Sequence, residues 1–182
     1  MRKIAIIGGG CSGVLMALAL LRRCADTFQI TIFEPAEHLG RGVAYATQKA
    51  HHLLNVPAGC MGAWSDAHGD FFEWIQAEWL PAEASDFVPR MWFAKYLTDR
   101  LAAELKTRAA SSSFTHCRAM ISTIAREAPQ AWRLVDSLGH EHTADTAILA
   151  LGLPNVSWPR GVDGVESTLR ALPVTTPPSE GN

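Results

Sequence analysis

Close to the start of the chain stands Ile6-Ile7-Gly8-Gly9-Gly10-Cys11-Ser12-Gly13. Four of the fourteen glycines fall inside these eight residues. Glycine loses more backbone freedom on folding than any other residue, so such a cluster marks a place where side chains must be absent. The preceding residues, Lys3 to Ile7, form a short apolar run that reads as a buried parallel strand. The following ones, Ser12 to Cys24, are apolar from Val14 to Leu21 and then basic. They read as a buried helix with Arg22 and Arg23 at its negative C-terminal end. Gln29 to Phe33 reads as a second buried strand, closed by Glu34-Pro35.

Gly8-x-Gly10-x-x-Gly13 therefore lies between a strand and a helix, and Glu34 sits 21 positions beyond Gly13. That is the context a dinucleotide-binding fingerprint requires. Gly8 permits the tight turn, Gly10 lets the backbone approach a pyrophosphate, and Gly13 lets the helix lie against the strand. The phosphates are expected at the helix N-terminus, where the loop passes through Cys11 and Ser12. Glu34 is placed to accept hydrogen bonds from adenosine ribose hydroxyls, and its charge disfavours a 2′-phosphate. FAD or NAD is expected at this site rather than NADP, and the fingerprint does not separate the two.

Downstream, His38 to Gly62 is a glycine-rich connection too long for an ordinary loop. Gly69 to Leu80 places Phe71, Phe72, Trp74, Ile75 and Trp79 near helical spacing, which predicts a helix with these rings in the core. Met91 to Ala109 predicts a second amphipathic helix, with Trp92, Tyr96, Leu97, Leu101 and Leu105 on one stripe. The pattern then switches to period two. Phe114 to Arg126, Ala131 to Val135 and Thr143 to Leu149 read as strands, with a turn at Asp136 to Gly139. Five of the ten prolines lie in the last thirty residues, and the end of the chain reads as disordered.

A chain of 182 residues suffices for one domain with a tail. A net charge of -2 gives no footprint for nucleic acid. Glycines interrupt the apolar N-terminal run, which disfavours both a signal peptide and a membrane span. The four cysteines include no CxxC pair, so reduced thiols in the cytoplasm are expected. His51-His52 and His140-x-His142 lack metal-ligand spacing, and no metal site is expected. No Ser-His-Asp or Cys-His arrangement stands out, so no catalytic residue is assigned.

Four further stretches occur in order: "GRGVAYAT" (40–47), "HLLNVPAGCMG" (52–62), "FVPRMWFAKYL" (87–97) and "TAILALG" (146–152). Together with the fingerprint they resemble the FAD/NAD(P)-binding domain family that includes FAD-dependent urate hydroxylase and the nitrosuccinate-forming aspartate N-monooxygenase. The resemblance covers about residues 1–158. It implies an α/β fold, a glutathione-reductase-like Rossmann FAD-binding domain with a parallel sheet, a β-meander and a returning strand. It also implies FAD, with the pyrophosphate on Gly8, Gly10, Cys11, Ser12 and Gly13 and the ribose on Glu34. Arg41 and Asn55 would belong to the loop beside the flavin. Arg90 would support the cofactor, bind an acidic substrate group or serve structure alone. Gly152 would close the domain, although Leu151 stands where the family pattern has a threonine.

In that family reduced flavin reacts with oxygen to hydroxylate a small substrate, with NAD(P)H as reductant. This chain carries one fingerprint only, and no match continues past Pro159. It reads as the N-terminal part of such an enzyme, residues 1–158, lacking the C-terminal half and followed by a disordered tail over 159–182. A fragment, a truncated gene product and a subunit completed by a partner chain all fit, and the apolar surface of an incomplete flavin site would favour association, as in a homo-oligomer. A non-catalytic NAD- or FAD-binding module or a degenerate fragment is the alternative. A methyltransferase, which also uses a glycine turn followed by an acid, fits the downstream stretches less well.

Overall fold

Arg2–Ile7 form β1, whose last four residues are buried. The computed structural model describes residues 1–23, 27–108 and 112–152. After the glycine turn, Cys11–Arg23 form α1 and Phe28–Phe33 form β2. β2 lies parallel to β1, with Ile4 opposite Ile30 and Ile6 opposite Ile32. These four isoleucines face the same apolar interior as Val14, Ala17, Leu18 and Leu21 of α1. Burying an aliphatic side chain of this kind contributes roughly 1.5–3 kcal/mol, so the strand–helix–strand unit is held by its apolar runs.

The long connection is only partly irregular. It contains a one-turn helix α2 at Gly42–Tyr45 and a 3-10 turn at Ala58–Cys60. The stretches 52–58 and 86–90 hold each other. Leu53 bridges Pro89, the Leu54 amide donates to the Val88 carbonyl at 2.9 Å, and the Ala58 amide donates to Asp86 at 2.9 Å. Two of the most distinctive sequence motifs are thus one structural unit.

Asp70–Ala77 form α3 and Arg90–Arg108 form α4. Phe71, Trp74 and Ile75 of α3 meet Phe93, Tyr96, Leu97 and Leu101 of α4 in the core, where aromatic rings pack edge-on. Trp79 does not join them. The helix ends at Ala77, and the Leu80 amide reaches back to the Ile75 carbonyl at 3.2 Å. Trp79 takes the left-handed conformation that glycine usually supplies at such an end (φ 55°) and is 93% exposed. The expectation that it packs in the core is corrected.

A buried polar knot fixes this helix pair to the loop before it. The Tyr96 hydroxyl donates to Asp70 Oδ2 at 2.6 Å and accepts from the Ala63 amide at 2.6 Å. Ala63 also donates to Asp70 Oδ1, at 3.2 Å. The Arg100 Nε lies 3.3 Å from Asp70 Oδ2, and its Nη2 donates to the Asp70 carbonyl at 3.2 Å. Burial, and then the bond to Asp70, pushes the Tyr96 hydroxyl well above its ordinary titration range, so it remains a donor.

The period-two region divides where the sequence shows no break. Ser113–Cys117 form β3, which joins β2 in parallel, whereas Ile121–Ala128 form β4 in a separate antiparallel sheet. The single strand expected over Phe114 to Arg126 is therefore two. The chain turns at Ala119, whose amide donates to the Cys117 carbonyl at 2.8 Å, and the same carbonyl accepts from Glu34 at 3.0 Å. Likewise Thr143 to Leu149 is split into β6 (Glu141–Ala144) and β7 (Thr146–Leu149). Asp145 makes the switch, accepting from the Lys3 amide at 2.7 Å and donating its own amide to the Lys3 carbonyl at 2.9 Å.

With β5 at Ala131–Asp136, the result is a four-stranded parallel sheet in the order β3-β2-β1-β7 and an antiparallel meander β4-β5-β6. The architecture expected from the resemblance, with a returning strand beside β1, is the one observed. The segment read as disordered lies outside the described residues.

Asp136, at the end of β5, is 3% exposed. Burial alone would raise its proton affinity. Bonds from His142 Nε2, the His140 and Leu138 amides and His140 Nδ1 reverse that, leaving the carboxyl well below the usual range. A depressed carboxyl contributes stability above its unfolded value of about 3.9, and loses it as pH falls through the folded value. Denaturant midpoints measured from pH 6 down to pH 3 are expected to fall less steeply in Asp136→Asn than in the parent. Parallel curves would contradict this.

Candidate functional site

Four glycines form the turn between β1 and α1, and each is held by protein. Gly8 has φ 104°, and a side chain there would collide with the Ala150 carbonyl, whose carbon would lie 2.8 Å from it. A Gly13 side chain would overlap the Gly8 carbonyl oxygen, with the carbon at 3.0 Å. These two positions require glycine for steric reasons, as their spacing predicts. At Gly10 the nearest obstacle is the Gly42 Cα, at 3.3 Å, so the loop following β2 closes against this glycine. Gly9 carries a role that the spacing does not reveal. Its side chain would meet Leu39 at 2.5 Å and Glu34 Cβ at 2.6 Å.

Glu34 bends back over this turn. Its Oε2 accepts from the Gly9 amide at 2.9 Å and its Oε1 from the Ala36 amide at 3.0 Å. A carboxylate has about four acceptor positions, so two remain for hydroxyl donors. The first helical bond of α1 runs from the Val14 amide to the Gly10 carbonyl at 3.0 Å. The amides of Cys11, Ser12 and Gly13 therefore precede the helical ladder, at the positive end of the helix dipole. No acidic residue lies in that first turn. Ser12 is exposed and Cys11 half-buried, and burial pushes the Cys11 thiol up, which keeps it protonated. Cys11, Cys60 and Cys117 are free thiols.

The other expected residues divide into two groups. Gly152 (φ 67°) follows Ala150, whose amide donates to the Ile7 carbonyl at 2.8 Å, so the end of β7 lies against the turn. Arg41 stands next to Gly42 and hence beside Gly10. Asn55 is exposed on the stretch pinned to 86–90, and among the described residues no hydrogen bond joins it to the glycine turn. Arg90 serves that same pinning: its Nε donates to the Leu53 carbonyl at 2.8 Å and its amide to His52 at 2.9 Å.

The arrangement can hold an extended dianionic group on free amides, with a carboxylate for sugar hydroxyls beside it. The donors and the unfilled acceptor positions fit the adenosine diphosphate portion of FAD. Among the described residues, no helix is long and apolar enough to cross a membrane.

Comparison with known families agrees with this geometry. Residues 5–154 match the FAD-NAD(P)-binding family, and the chain belongs to it. Among solved structures, the closed crystal structure of cyclohexanone monooxygenase is similar at a TM-score of 0.57 and 15% identity, over 84% of this chain and 26% of that one. FqzB is similar at 0.55 and 12% identity, over 84% of this chain and 36% of that one. The Diels-Alderase PyrE3 of pyrroindomycin biosynthesis follows at 0.53 and 13%, over 84% and 32%. At these identities the likeness is one of fold. The chain spans between about a quarter and about a third of the length of these structures. A search of curated proteins gives no match.

Proposed function

We propose that residues 1–158 are the FAD-binding part of a flavin-dependent oxidoreductase of monooxygenase type. The observation that carries this is the pairing of free α1 amides with the Glu34 carboxylate across one glycine turn. Gly8, Gly10 and Gly13 shape the turn. The amides of Cys11, Ser12 and Gly13 bind the pyrophosphate, and Glu34 orients the ribose. Arg41 adds positive charge beside the turn, and Gly152 leaves the backbone open at its edge. When bound, FAD supplies the transfer of electrons from NAD(P)H to oxygen. A small-molecule substrate, and the segment or partner chain that completes the flavin site, belong to the same reading. Free thiols suit a cytoplasmic setting. Asn55 would act only through a ligand long enough to reach the 52–58 stretch.

The test is retention of flavin absorbance after incubation with FAD and desalting, compared with Ser12→Glu. That substitution places a carboxylate where phosphate is expected, yet an acidic residue in a first helical turn favours the helix. The parent is expected to retain flavin. The variant should bind it at least about tenfold more weakly at unchanged melting temperature. Equal retention by both would refute the assignment of the pyrophosphate to α1. A folded parent that takes up NAD but no FAD would favour the non-catalytic module.

A further inference from the structure

Between α2 and the first turns of α4 lies a groove of about 400 Å³. This falls within the usual range for small-molecule sites. Of the residues assigned to the FAD cradle, only Arg41 lines it. The groove therefore adjoins the cradle across α2, where Gly42 meets Gly10, and shares one lining residue with it.

Its chemistry is uneven. Lys95 and Asp99 lie on its α4 wall, but they bind each other at 2.8 Å, and Lys95 also binds Glu78 at 2.8 Å. Asp99 accepts in addition from Trp74 Nε1 at 2.9 Å. Their charges are spent within the protein. Arg41 differs: among the described residues its guanidinium has no hydrogen-bond or ion-pair partner. Alongside the ionisable His38, it gives the groove a permanent positive charge that no described residue neutralises. Two rings complete the lining. Tyr45 is set against Phe93 with ring centroids 5.1 Å apart, and Trp92 is half-buried on the opposite wall. Burial, with the nearby Cys11, pushes the Tyr45 hydroxyl up, so it remains a neutral donor.

We propose that this groove is a second ligand site, taking a planar aromatic ring that carries an anionic group. Arg41 receives the anion, a role its planar fork of donors suits. Trp92 and Tyr45 pack against the ring. Two sources offer that chemistry: the nucleotide portion of the reductant, or a free aromatic acid.

The experiment is calorimetric titration of the full chain, saturated with FAD, using 5′-AMP and 4-hydroxybenzoate as separate probes. At least one is expected to bind in a 1:1 ratio, and which one binds distinguishes the sources. Gln48 lines the groove and is exposed, so Gln48→Glu adds a repelling charge without disturbing the core. It should weaken the binding about tenfold, as should Trp92→Leu. Ser12→Glu, without FAD, should still bind the same probe, which separates this site from the cradle. Absence of binding by both probes would overturn the proposal. So would unchanged affinity in Gln48→Glu, or loss of binding when FAD is added to FAD-free protein, since the flavin would then fill the groove.

Discussion

Gly13→Ala is expected to lower stability by about 3 kcal/mol or more, although it adds a single methyl group. The added carbon would overlap the Gly8 carbonyl oxygen, and neither atom can yield easily. Gly13 is buried in the first turn of α1, and Gly8 is locked from the other side by Ala150. Either α1 slides away from β1 or the turn opens, and both displace the amides assigned to phosphate. Chemical denaturation of the parent and variant checks the size of the effect, and flavin retention checks its functional consequence. Gly139→Ala is the control. Its φ of 87° also disfavours a side chain, but nothing lies within 4 Å of the added carbon. It should cost only backbone strain, about 1 kcal/mol. Equal effects at the two positions would show that the Gly8–Gly13 contact does not determine the turn.

Asp70→Ala is expected to destabilise the chain by about 3–5 kcal/mol, the usual cost of removing one partner from a buried ionic group. The loss would leave the Tyr96 hydroxyl without its acceptor. It would also leave the Arg100 guanidinium facing a void, and its buried Nε already has no aligned hydrogen bond. Tyr96→Phe removes the hydroxyl that donates to Asp70 and accepts from Ala63. Because the three groups share partners, the double variant should cost clearly less than the sum of the single ones. Simple additivity in denaturant titrations would show that the contacts act independently.

The elements around the glycines were legible because each rests on a local rule. β1, α1 and β2 follow from apolar runs, and α4 from a helical stripe whose observed start, Arg90, lies one residue before the expected one. The antiparallel meander was legible from period two. The two breaks that distribute its strands between sheets were not. Residues 118–120 contain neither glycine nor proline, and Asp145 interrupts its strand through bonds to Lys3, more than a hundred residues earlier. Trp79 misleads for the reverse reason: an apolar ring at helical spacing stands beyond a helix end that no glycine marks. Around the turn, the steric need for glycine at Gly8 and Gly13 and the nearness of Glu34 could be read from spacing. Gly9 and Gly42 could not, because what excludes a side chain there is Leu39, Glu34 or Gly10, supplied by folding. For Arg90 the sequence left a ligand-binding and a structural role both open, and the partner it has, the Leu53 backbone carbonyl, is one that no pattern announces.

The contact between Ala150 and Gly8 also orders events during synthesis. β1 and the glycine turn leave the ribosome well before their neighbour β7, which lies at Thr146–Leu149, across almost the whole described length. Pairing at that sequence separation is slow, because chain entropy must be lost before the contact forms. Until then one edge of β1 remains bare while β2 can already dock on the other. The turn that the first dozen residues encode therefore matures only when the last described strand arrives.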